Sequence, residues 1–139
     1  CGPGALAYRA VERDIRRVTS RSYYFSGNAT VFLRFTQYYR RWQGATQLNI
    51  LVDGMILETI TLNTNVGINI ETSHRDVQIF DISMAAGNNE NVQLEFVFEG
   101  TNYFWVIDDV QFFDDYTYPQ TRPYFFGDSI ANFVAPYDN

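Results

Sequence analysis

Residues 92–113 read VQLEFVFEGTNYFWVIDDVQFF, and the spacing of their apolar positions decides the fold. Val92, Leu94, Phe96 and Phe98 recur at every second residue. That is the period of a strand with one buried face. Gly100-Thr101-Asn102 breaks the run with turn-forming residues. Tyr103–Phe113 resumes as a second strand. Strict alternation sets Phe104, Val106, Asp108, Val110 and Phe112 on one face, and Tyr103, Trp105, Ile107, Asp109 and Gln111 on the other. One of the adjacent aspartates is then expected to face an apolar layer.

The same punctuation extends upstream. Thr30–Arg40 (TVFLRFTQYYR) alternates Val31, Leu33 and Phe35 against Phe32, Arg34 and Thr36. Gln47–Val52 and Met55–Leu62 flank Asp53-Gly54, a strong two-residue hairpin signal. Residues 63–74 read as a polar loop, Asp76–Ser83 as a strand and Ala85–Asn91 as a turn. Short strands divided by Gly and Asn turns predict an all-β fold, an antiparallel sandwich or jelly roll. The start is less regular. Ala7, Val11, Ile15 and Val18 fall at helical spacing, which reads either as a short amphipathic helix or as a lead-in to a strand around 16–22. The expected organisation is a basic lead-in over 1–22, a sandwich module over 23–115 and a Pro- and aromatic-rich extension over 116–139.

Composition narrows the function classes. The 139 residues suit one domain. Aromatics reach 17%, and all ten basic residues are arginine. Arginine favours bidentate and stacked contacts, as in a protein-contacting surface. Net charge is −6, unevenly spread. Residues 1–41 hold eight Arg against Glu12 and Asp14, and the remainder is strongly acidic. An acidic body argues against nucleic acid as the partner. The basic start reads as a nucleic-acid arm or, more simply, as a segment that pairs with the acidic body of its own chain or of a neighbour. No run is long and apolar enough to be a transmembrane segment. The lone Cys1 permits no internal disulfide. It reads as a lipid anchor at the start of a mature lipoprotein, as a partner for an outside cysteine, or as the point where a longer chain was cut.

Little here serves catalysis. His74 is the single histidine, in a polar loop, and one His with one Cys cannot assemble a zinc site of such ligands. There is no nucleophile elbow, phosphate loop or dinucleotide fingerprint. The chain is therefore expected not to be an enzyme. Asp108 and Asp109 remain. A carboxylate in an apolar layer must be hydrogen-bonded, paired or metal-bound. It would accept backbone N–H groups or pair with an arginine such as Arg34, or it would help hold a structural calcium. Surplus aromatics are the other candidates. Tyr38, Tyr39, Trp42, Tyr103 and Trp105, with Arg40 and Arg41, form the expected ligand or partner surface. Tyr116, Tyr118, Tyr124, Phe125 and Phe126 add to the surplus.

These strands carry a resemblance. Phe32–Gly44 (FLRFTQYYRRWQG) resembles the L-x-F-x-x-Y-Y-R strand of jelly-roll modules in large secreted and surface proteins of bacteria with type IX secretion. Asp53-Gly54 stands where that family has D-G-G-x-W, without the second Gly or the Trp. Asp81-Ile82-Ser83 matches its I-D-I-S step. Phe104–Val110 (FWVIDDV) is similar to its closing strand, and to that of MAM and laminin-G-like domains and of calcium-stapled carbohydrate-binding modules. The resemblance implies a non-catalytic extracellular or cell-surface module, with calcium at Asp108 or Asp109 in the stapled relatives. The expected function is adhesion or protein assembly, self-association included. The alternatives are a carbohydrate-binding module that grips polysaccharide, and a fragment of a secreted enzyme.

Overall fold

The computed structural model describes residues 15–114 and, as backbone, 131–134. Eight strands form: β1 (Ile15–Thr19), β2 (Phe32–Arg40), β3 (Ala45–Val52), β4 (Met55–Leu62), β5 (Asp76–Asp81), β6 (Val92–Glu99), β7 (Phe104–Phe113) and β8 (Ala131–Val134). One helical turn, α1 (Ser83–Ala86), lies between β5 and β6. The strands make two four-stranded sheets, ordered β1-β6-β3-β4 and β5-β2-β7-β8. Every pairing is antiparallel. The chain changes sheet at each step except β3–β4 and β7–β8, which is the jelly-roll weave.

The core lies between the sheets and is rich in rings. Phe35 of β2 meets Phe96 of β6 edge-on at 5.4 Å. Trp105 of β7 stands 5.7 Å from Phe96 and 6.3 Å from Phe98. Tyr23 and Phe25 reach in from the segment before β2 to pack on Phe112 at 4.6 and 4.9 Å. Such pairs add to the burial of large apolar surfaces. The Asp53-Gly54 turn takes φ +52° and +81°, the geometry of a tight hairpin.

The alternation is correct in β6 and β2 and fails halfway along β7. Trp105 and Ile107 face inward, but so do Val110 and Phe112. The parity switches at Asp108-Asp109, where Phe35 opposes both Asp109 and Val110. Asp109 sits at φ +55°, so this is a β-bulge with an aspartate in the left-handed position. Neither aspartate is driven into the apolar layer, contrary to the alternation argument; both stay partly exposed.

Of the two readings of the amino-terminal segment, the strand holds over residues 15–19, and the helical alternative is corrected there. Ile15–Thr19 form an edge strand whose exposure alternates. Arg16 and Val18 face Phe98 and Phe96 across the pairing, and burying that side outweighs the helical spacing. The rest of the helical pattern, residues 1–14, lies outside the described residues. β1 and β8 each take an outer place, one in each sheet. The start of the predicted turn after β5 is instead α1. There Ser83 Oγ donates to Asp81 Oδ1 at 2.6 Å, and Ala85 and Ala86 are buried.

Candidate functional site

The predicted surface divides between core and rim. Tyr39 and Trp105 are buried, at 1% and 0% exposure, so neither can serve as a contact platform. Their polar tips are satisfied within the sandwich. Trp105 Nε1–H donates to Gln37 Oε1 at 2.9 Å. Gln37 donates in turn to Asn63 Oδ1 (2.7 Å) and Asp76 Oδ2 (2.8 Å). Tyr39 Oη donates to Asn102 Oδ1 at 2.7 Å, which also accepts the Trp42 backbone N–H. Burial pushes the Tyr39 hydroxyl up to about 12, against a smaller opposing pull from Arg41. The signal that these rings were internal was their parity with Phe35 and Ile107.

The other predicted residues form a band on the outer side of the β5-β2-β7-β8 sheet and its adjoining loops. Tyr38 packs against Phe104 at 4.6 Å and against His74 at 4.4 Å. Its hydroxyl donates to Glu71, a bond that together with partial desolvation raises its pKa. Trp42 meets Tyr103 at 5.9 Å, and the Arg40 guanidinium lies 4.6 Å over the Tyr103 ring. Arg40 also donates to Asn69 Oδ1 at 2.6 Å, and Arg41 to the Val66 carbonyl at 2.7 Å. Both arginines therefore tie the 63–75 loop to the end of β2. The ring planes cross at 62° for Tyr38–Phe104 and 64° for Trp42–Tyr103. The five aromatics of 116–126 lie outside the described residues.

Asp108 and Asp109 are held by near neighbours. Asp108 Oδ1 accepts the Asp109 backbone N–H at 2.8 Å. Asp109 Oδ2 pairs with Arg75 at 3.1 Å, an exposed contact of small energy. Arg34, the expected partner, instead donates to Gln111 at 3.1 Å. Among the described residues no three His, Cys, Asp or Glu side chains gather into a metal-binding group.

Two features were not anticipated. A mainly polar cleft of about 290 Å³ opens beside β5, lined by Asn63, Asn65, Glu71, Thr72, Ser73, Asp76 and Gln78 with Val66 and Ile70. The second is β4, an edge strand of its sheet. Met55, Ile56 and Leu57 at its start are 67, 53 and 54% exposed in succession. Leu57 is the extra residue of a bulge, since Glu58 opposes Ile50 while Ile56 opposes Leu51. The apolar run MILETITL was visible in the sequence; its place at an edge was not.

Comparison with protein-family models, curated proteins and solved structures gave no match. The site is therefore read from its own chemistry.

Proposed function

We propose that this chain is a non-catalytic extracellular module that holds proteins together at a cell surface, with β4 as its contact strand. One observation carries the reading: three consecutive apolar residues stand in water on a sheet edge whose outer side no described strand pairs. An open edge offers a row of backbone donors and acceptors to another polypeptide, and exposed apolar side chains add burial. Consecutive exposed apolar residues of this kind mark contact sites more often than scattered single ones. The arginines and aromatics of the band support the reading more weakly, because they already serve their own loop. The resemblance of the closing strand to surface modules supports the extracellular setting.

The polar cleft beside β5 favours the second reading, a carbohydrate-binding module. A sugar ring would find hydroxyl, amide and carboxylate groups there. Against it, the neighbouring rings cross steeply instead of presenting a flat stacking platform.

The test places a photo-reactive amino acid at Leu57 and irradiates the native host. A covalent adduct to a polypeptide is expected. Adducts to polysaccharide alone, together with a positive glycan array, would reverse the order of the two readings.

A further inference from the structure

The sheet that ends in β4 ends on its other side in β1, and the two edges differ in charge. β1 (IRRVT) carries two arginines and no acid; β4 (MILETITL) carries one acid, Glu58, and no base. No described strand pairs the outer side of either. We propose that the β4 edge of one copy pairs with the β1 edge of a second copy, so that copies join side by side in an open row. This rests on the assembly reading above and narrows its partner to the chain itself.

Strand direction allows it without rotation of the partner. Four antiparallel strands alternate, so β1 and β4 run in opposite directions. A second copy in the same orientation therefore presents β1 antiparallel to β4. Length agrees as well. Beyond the bulge at Leu57, the regular part of β4 is Glu58–Leu62 against five residues in β1; the pleat offsets them by one, so four pairs can form.

The pleat limits the register. Glu58, Ile60 and Leu62 share the face of their partners Ile50, Leu48 and Thr46. Arg16 and Val18 share the face of Phe98 and Phe96. A continuous sheet must put these two sets on one inner face. The register that serves both sets places Arg16 opposite Ile60 and Val18 opposite Glu58, so that Arg16 is diagonal to Glu58 and Val18 diagonal to Ile60. Ile60 and Val18, both only partly buried at the rim of the core, cover each other. Like pairings are disfavoured: β1 on β1 sets arginine against arginine, and β4 on β4 brings two Glu58 carboxylates together. An interface of two different patches propagates from copy to copy, and with no rotation between copies it forms an open row.

The test uses a Cys1→Ser background and two exposed outer-face positions, Thr61→Cys on β4 and Ile15→Cys on β1, which the register sets opposite each other. A short bismaleimide is expected to give covalent dimers in the mixture of the two variants and none with either alone. The sedimentation coefficient of the unmodified chain is expected to rise with concentration. Glu58→Arg should weaken that self-association by about tenfold, through like charge across the strands. Dimers of the Thr61→Cys variant alone would overturn the unlike pairing. A chain that stays monomeric at its solubility limit, with no cross-link in any mixture, would overturn self-assembly. A Leu57 photo-adduct to a different polypeptide would in that case leave the broader assembly reading standing.

Discussion

At Asp109 a non-glycine backbone takes φ +55°, and the strand changes phase around it. Aspartate tolerates this region better than most residues because its short side chain bonds locally. Asp109→Gly is expected to hold stability close to the parent. Asp109→Val, β-branched, is expected to lose about 1–2 kcal/mol in urea titration. Tyr39 makes a pH-dependent contribution. Its hydroxyl loses its proton around pH 10.0 in the unfolded chain and at about 12 in the folded one, where burial disfavours the phenolate. Below pH 10 both states keep the proton and stability does not vary on its account. Between pH 10 and 12 the unfolded chain alone ionises, so stability falls, by about 2–3 kcal/mol in all. Tyr39→Phe should flatten that alkaline loss while costing about 1 kcal/mol at neutral pH, where Asn102 loses a donor. Urea unfolding of both proteins across the alkaline range checks it.

Among the elements, β2 is the hub, because it lies between β5 and β7 and its inner face carries Gln37. This one amide touches three other elements: Trp105 of β7, Asp76 of β5 and Asn63 just after β4. Gln37→Ala leaves the indole N–H without its acceptor and Asn63 Oδ1 without its donor, and Asp76 Oδ2 keeps only the bond from Gln78. The expected cost is about 2–4 kcal/mol. The variant should unfold at lower urea and show a changed Trp105 fluorescence. Elements were also where reading by period was strongest. β4 and β6 appear with the predicted ends, and β3 and β7 differ by one or two residues. β2 and β5 are two residues shorter than predicted. The four-residue α1 was missed because one turn leaves no period to detect, and it exists through the Ser83–Asp81 and Ser83–Val31 contacts.

For the whole molecule, Trp105 joins the two sheets: it meets Tyr39 within its own sheet and Phe96 and Phe98 of the other. Trp105→Ala empties the centre of the sandwich and is expected to cost about 3–5 kcal/mol in equilibrium unfolding. A cost below 1 kcal/mol would show that the sheets collapse around the gap. The sequence by itself determined the all-β class, the Asp53-Gly54 hairpin and the inward residues of β2 and β6. Each follows from a period of two or a local turn, which neighbouring residues encode. It also set Tyr39 in phase with Phe35 and Trp105 in phase with Ile107, but left open which residues of β7 beyond Asp108 face the core. Only the tertiary structure decided that. One bulge residue reverses the parity of everything beyond it, and bulges form where two strands meet. Likewise only the sheet order made edges of β1 and β4. An edge is defined by the absence of a neighbouring strand, and a strand's own residues carry no record of which neighbours lie beside it.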